Sequence, residues 1–258
     1  MTTRNLVYKH KGKKLNLYFL NDIHLGAKSF EEEAFKNRVN EIKKDKQAVV
    51  ILNGDYCDFI RKGDPRYEMD EVDPKYADIE DQYFGIKALL EPIGDKIIAV
   101  GMGNHDYTVK KYYGWHIPRM LAKEFGAIHF DDLLLVNFIV NKASHRVLVT
   151  HGVSGASTIG GQMNVLLKIA NNMETSPDIC VMGHVHRLDV LHNPKFVDNF
   201  KSSVKYIGIT GTYLTGYPEG GSTYASRRLY SPNLIGTVMF ELSADGDIDP
   251  KIIVEKIK

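Results

Sequence analysis

An α/β protein with mixed sheets is the fold class that this 258-residue sequence predicts. Two observations carry that reading. Short, wholly apolar runs alternate with segments of helical periodicity as far as residue 183, the signature of strands covered on both faces. Beyond that point the chain is β-rich, with no helical pattern between its runs, so antiparallel strands complete the protein. The chain has no internal repeat and no Pro/Ser-rich linker, so residues 1–258 read as one domain.

The elements follow in order. "KLNLYFL" (14–20) alternates and then turns apolar, as a strand entering a buried sheet does. "FEEEAFKNRVNEIKKD" (30–45) has apolar residues at helical spacing and acids in its first turn. "AVVIL" (48–52) and "KIIAV" (96–100) are buried strands; between them "ADIEDQYFGIKALLEPI" is a helix stopped near Pro92. "IPRMLAKEFG" is a helix ending at Gly126, "DLLLVNFIV" and "HRVLVT" are paired strands, and "QMNVLLKIANNM" is a helix. "DICVMG" (178–183) is a further buried strand, and "VKYIGIT", "LIGTVMFEL" and "IDPKIIVEKI" close the chain as β-structure.

Bulk properties exclude several classes. Hydrophobic residues make up 43% and charged residues 25%, as in globular proteins. The net charge of +1 supplies no global field toward nucleic acid or membrane, although "YKHKGKK" is a local basic stretch. Two cysteines give no disulfide framework, and no apolar run approaches the roughly 20 residues that span a bilayer. The opening segment lacks the apolar region of a secretory signal, so the expectation is a soluble, cytoplasmic protein with no membrane partner. Cys57 and Cys180 are expected in the core, and any metal site would use N and O donors.

The chemistry lies where the apolar runs stop. "YFL" leads to Asn21-Asp22-Ile23-His24, "VVIL" to Asn53-Gly54-Asp55, and "IIAVGMG" to Asn104-His105-Asp106. "VLVT" leads to His151-Gly152, and "ICVMG" to His184-Val185-His186. Any one of these could be a polar turn. Together they matter, because sites in α/β sheets form outside the carboxyl ends of strands. Asp22/His24 and His184/His186 are i, i+2 pairs, which extended backbone would point to one side. Carboxylates, an amide and several imidazoles suit divalent Mn, Fe or Zn better than Ca. His10, His116, His129, His145 and His192 lack this strand-end context and are expected to be structural.

"DIHLG", "GDYCD", "GNHD", "HG" and "GHVH", in that order, resemble the signature of calcineurin-like metallophosphoesterases. The resemblance implies a four-layer αββα sandwich, two mixed sheets flanked by helices. It implies two divalent ions, Mn²⁺ foremost with Fe, Zn or Ni as alternatives. One would be held by Asp22, His24 and His186, the second by Asn104, His151 and His184, with Asp55 bridging. Such ions lie about 3.5–4 Å apart and share a hydroxide that attacks phosphorus in line. His105 would face the substrate, Asp106 would orient its imidazole, and Asp58 would either support the metal shell or cap its loop.

The blocks are most similar to the Mre11/SbcD-type nuclease branch, but the β-rich residues after His186 are not expected to hold that branch's capping domain or ATPase attachment in full. The implied activity is a compact phosphodiesterase, with a stand-alone nuclease as one form. The alternatives are a phosphomonoesterase acting on nucleotides or proteins, and a non-catalytic scaffold on the same fold. The partner is then a phosphoester, nucleic acid included, and a homo-oligomer is compatible. Three segments could set substrate choice: 61–76, 107–116 and 211–232. The last offers Tyr213, Arg227 and Arg228 as substrate contacts, against a self-packed surface loop.

Overall fold

The computed structural model describes residues 2–64, 66–153, 156, 158–173, 176–198, 201–219 and 221–257, without the side chains of 196–198, 201 and 202. Pro65 and Gly220, inside two of the candidate substrate segments, lie outside the described residues. Among those described there are twelve strands: β1 (Thr3–His10), β2 (Lys14–Leu20), β3 (Ala48–Leu52), β4 (Ile97–Gly101), β5 (Ile128–Phe130), β6 (Leu133–Val140), β7 (Ala143–Thr150), β8 (Ile179–Met182), β9 (Leu188–Asp198), β10 (Lys201–Thr212), β11 (Gly236–Ser243) and β12 (Ile248–Val254). The α-helices are α1 (Glu32–Lys44), α2 (Ile79–Leu90), α3 (Asn104–Tyr113), α4 (Ile117–Glu124), α5 (Ile159–Asn171) and the single turn α6 (Tyr224–Arg227).

Two mixed sheets face each other. One runs β12-β11-β2-β3-β4-β5, the other β1-β6-β7-β8-β10-β9. They join where Gly211 and Thr212 of β10 pair with Thr237 and Gly236 of β11. The strands alternate faces, so three cores form. Leu17, Phe19, Val49, Ile51 and Phe240 meet Val136, Phe138 and Val149 between the sheets. The other faces of β2 and β3 pack Leu20, Val50 and Leu52 against Phe35 and Val39 of α1 and Ile86 and Leu90 of α2. On the far side α5 lays Met163, Leu166 and Ala170 over Cys180, Met182, Ile207 and Ile209. The layers are helix, sheet, sheet, helix, as the resemblance implied.

The elements read from the sequence are all present; β1, β5, β9, α3 and the single turn α6 were not read from it, β5 and α6 because three and four residues are too short for a periodic signal. β1 escaped because its burial alternates at a polar edge, where it pairs in parallel with β6. β9 escaped because its partner β10 covers only one of its sides. α3 escaped because Asn104-His105-Asp106 reads locally as a turn; in fact it is the first turn of a helix. Asp106 at the third helical position accepts the Gly103 N–H at 2.9 Å, giving that helix start a side-chain cap. Cys57 and Cys180 are both buried, as expected. No helix among the described residues is long and apolar enough to cross a membrane.

Candidate metal centre

The five candidate loops converge. β2, β3 and β4 deliver Asp22, Asp55 and Asn104 from one sheet; β7 and β8 deliver His151 and His184/His186 from the other. The convergence demands unusual backbone. Asp22 (φ 47°), His24 (53°), Asp55 (53°), His184 (68°) and His186 (52°) all sit in the left-handed region. The expectation of extended i, i+2 pairs is therefore corrected: both members of each pair are left-handed, and His184 and His186 turn to different donor groups, His184 to Asn104 and His186 to Asp22 and His24. The left-handed conformation costs about 1–2 kcal/mol per residue for an L-amino acid. Hydrogen bonds hold it in place. Asp22 N–H donates to Gly54 O (3.0 Å), Ile23 N–H to Asp55 O (2.9 Å), and Tyr213 N–H to Asp22 O (3.0 Å).

Two glycines admit the carboxylates. A Cβ on Gly103 would stand 2.1 Å from Asp55 Oδ1, and one on Gly183 2.6 Å from Asp22 Oδ2. Each carboxylate then divides its labour. Asp22 Oδ2 accepts the His184 N–H at 2.8 Å, whereas Asp22 Oδ1 is buried with no hydrogen-bond partner. Asp55 Oδ1 accepts the His105 N–H at 2.9 Å and leaves Oδ2 facing the centre.

Electron-pair donors crowd together there. His186 Nε2 lies 3.3 Å from Asp22 Oδ1, without hydrogen-bond geometry, and 3.1 Å from His24 Nε2. Asn104 Oδ1 lies 3.2 Å from His151 Nε2 and 2.8 Å from His184 Nδ1. Asp55 Oδ2 stands between the groups, 3.2 Å from His151 Nε2 and 4.0 Å from His24 Nε2. Outward bonds fix the free nitrogens: His24 Nδ1–H donates to Asp58 Oδ1 (3.3 Å) and His151 Nδ1–H to Asn53 O (2.7 Å). Lone pairs facing lone pairs, with an orphaned buried oxygen among them, fit a divalent cation in each group.

The electrostatics agree. Burial raises the Asp55 carboxyl, yet His151 and His105 outweigh that and hold it well below the usual range. Asp22 is lowered too, its burial overcome by His186. Burial pulls His151 down, but Asp55 and then Asp22 raise it to about 10. His24 and His184 are lowered by burial. Asp22 and Asp55 are thus held ionised by the imidazoles beside them.

Around this centre some expectations change. Asp106 does not touch the His105 imidazole; its Oδ2 accepts backbone N–H groups of Asp55 (2.8 Å) and Gly103 (2.9 Å). It therefore shapes the Asp55 loop, and burial together with the Asp55 charge lifts its carboxyl to about 7. Asp58 orients His105 instead: His105 Nδ1–H donates to the Asp58 carbonyl, while the Asp58 carboxylate backs His24. Tyr213 is corrected as a substrate contact, since its ring is buried against Phe35 at 4.9 Å between centroids. Arg227 is spent on Glu71 at 2.5 Å, tying two candidate loops together, and Arg228 stacks on Tyr224.

Arg66 is the residue that sequence reasoning passed over. Its Nη1 donates to His105 Nε2 at 3.1 Å, while Asp64 grips the rest of the guanidinium at 2.9–3.0 Å. The basic start of segment 61–76 was the available signal, but spacing gave no reason to bring it to His105.

The curated proteins contain no match. Among solved structures, a single-mutant Vps29 from Entamoeba histolytica has 14% identity and a TM-score of 0.45, over 93% of this chain and 99% of that one. A novel phosphatase from Mycoplasma pneumoniae has 15% identity and a TM-score of 0.42, over 94% of each. The NAD nucleotidase of Haemophilus influenzae has 11% identity and a TM-score of 0.44, over 95% of this chain and 51% of that one. A family model matches residues 15–188, more than half of the sequence and every ligand loop described above, and the chain belongs to the calcineurin-like phosphoesterase family.

Proposed function

We propose that this chain is a dinuclear-metal phosphoesterase that cleaves phosphodiesters, with Mn²⁺ as its working metal. One observation carries the reading: Asp55 Oδ2 stands between two donor groups, 3.2 Å from His151 Nε2 and 4.0 Å from His24 Nε2, as a shared ligand would. Asp22, His24 and His186 would hold one ion, and Asn104, His151 and His184 the other. Bound there, two cations supply Lewis-acid charge to phosphoryl oxygens and lower the pKa of water.

The chain's own residues supply the rest. With Nδ1–H fixed by the Asp58 carbonyl, His105 presents Nε2 as the atom that accepts or delivers a proton at the departing oxygen. Arg66, hydrogen-bonded to that nitrogen, offers an N–H and a positive charge to the phosphoryl group once substrate displaces the contact. The helix that starts with Asn104 and His105 also carries exposed Tyr107, Tyr112 and Tyr113 with Lys111, a surface suited to stacked bases. That surface supports a diester with nucleotide character, a compact nuclease among its forms. The Arg66–His105 pair favours a second reading, since added positive charge suits the dianion of a phosphomonoester.

Turnover of bis(p-nitrophenyl) phosphate and p-nitrophenyl phosphate by the Mn²⁺-loaded protein tests both. The expected result is higher kcat/KM on the diester, lost about 10²–10⁴-fold in His105→Ala with metal retained. A large monoester preference installs the second reading. No turnover with Mn²⁺, Fe²⁺, Zn²⁺ or Ni²⁺ makes the chain a scaffold.

A further inference from the structure

A second set of nitrogen and oxygen donors lies outside the centre described above and shares no residue with it. His116 opens α4, His129 sits in edge strand β5, and Asp131 follows that strand. We propose that His116, His129 and Asp131 form a separate zinc site that ties α4 to the edge of the sheet.

The geometry is that of a site assembled from three directions. His129 Nδ1–H donates to Val100 O at 3.0 Å, which leaves the Nε2 lone pair toward Asp131 Oδ1, 3.3 Å away. His116 Nε2 reaches the same oxygen at 3.8 Å. All three donor atoms lie within 4.8 Å of one another. The imidazoles meet edge to face, centroids 4.7 Å apart and planes at 90°, so both nitrogens can address one point. Zinc–ligand bonds of about 2.0–2.1 Å in a tetrahedron imply donor separations of about 3.3–3.4 Å. The His129–Asp131 edge has that length already, the His116–Asp131 edge needs a few tenths of an ångström, and the edge between the two imidazoles lies within 4.8 Å and closes with it.

A purely structural cluster leaves one thing unexplained. His129 has its carbonyl and carboxylate, but His116 Nδ1 and Nε2 are both buried and neither has a hydrogen-bond partner. A cation at Nε2 gives one of them a partner. Two imidazoles and a carboxylate suit Zn²⁺ better than Mg²⁺ or Ca²⁺, and a fourth position stays open for water. The carbonyl behind His129 is the outer support common to zinc-bound histidines. One group competes for the site: Lys110 Nζ is 3.6 Å from Asp131 Oδ1. Its side chain is 38% exposed and can swing into solvent when a divalent ion arrives.

The test uses zinc alone as the probe on the full chain, stripped with chelator and dialysed at fixed free Zn²⁺. Wild type is expected to retain one more zinc per chain than a His116→Gln/His129→Gln variant. The extra ion should persist in Asp22→Ala/Asp55→Ala, which disables the first centre. Asp131→Ala, at a partly exposed position, should weaken it at least tenfold, and Lys110→Met should tighten it. Zinc addition should also shift the imidazole ¹⁵N signals of His116 and His129. Equal zinc retention by wild type and the double variant overturns the proposal. Should that variant fail to fold, an Asp131→Ala protein with unchanged zinc affinity and unshifted imidazole signals overturns it instead.

Discussion

At the scale of single residues, the centre depends on side chains that hold other side chains. Asp58 is the clearest case, because its carboxylate backs His24 and its carbonyl takes the His105 N–H. Removing such an outer partner lowers metal affinity by about 10–100-fold. Asp58→Ala is expected to fall in that range in a calorimetric Mn²⁺ titration while the fold persists by circular dichroism; unchanged affinity would mean that the carboxylate merely decorates its loop. His151 sets a pH dependence. Its folded-state value is raised from 6.5 to about 10 by Asp55 and Asp22 against the pull of burial. A raised pKa means that, without metal, its contribution to stability is full below pH 6.5 and is lost as pH climbs through about 10. Metal must displace that proton. Binding at pH 7–8 is therefore expected to release protons and to tighten as pH rises, read as a buffer-dependent calorimetric heat. A heat independent of the buffer's ionisation enthalpy would contradict the Asp55–His151 pairing.

Among elements, the segment after β12 is tied to α1 by a buried ion pair. Arg38 Nε reaches Glu255 Oε1 at 2.7 Å, with both side chains under one-tenth exposed, and Glu41 takes the other end of the guanidinium at 2.7 Å. Truncating one partner of a buried pair leaves the other charge uncompensated, at about 3–5 kcal/mol. Glu255→Ala is accordingly expected to shift the urea midpoint by that stability difference, and Arg38→Met/Glu255→Leu to recover most of it. A double variant as unstable as the single one would move the cause to packing. α3 teaches a different lesson. Tyr112 is 67% exposed, so Tyr112→Ala should change stability by no more than about 0.5 kcal/mol.

For the whole molecule, the candidate metal centre is placed to act as a clasp between two sheets. Three candidate ligand loops come from one sheet and two from the other, while among the described residues direct strand pairing between the sheets amounts to Gly211–Thr237 and Thr212–Gly236. Ions that bind only the folded chain add stability as RT ln(1 + [L]/Kd), about 2.7 kcal/mol at a hundredfold excess over Kd. Chelation is expected to lower Tm and to speed local exchange of amides at Asp22–His24 and His184–His186 before those of the inter-sheet core. A Tm indifferent to chelator would show that the inter-sheet packing of Phe19, Phe138 and Phe240 holds the sandwich by itself.

What the sequence determined was the alternation of apolar runs and helices, and the polar groups at five strand ends. Period and strand-end chemistry are local properties, so β2, β3, β4, β7 and β8 and the ligands behind them were legible. Tertiary structure alone decided the rest. The left-handed backbone of Asp22, His24, Asp55, His184 and His186 is held by bonds from distant loops, and no residue type there announces it. Asp106 turned from the imidazole to the Asp55 loop because two backbone N–H groups converge on it, and Tyr213 turned from substrate to core. Arg66 met His105 across 39 residues, and His116 met His129 across the whole of α4. Pairings of that kind depend on the path of the whole backbone, which no short window of residues encodes.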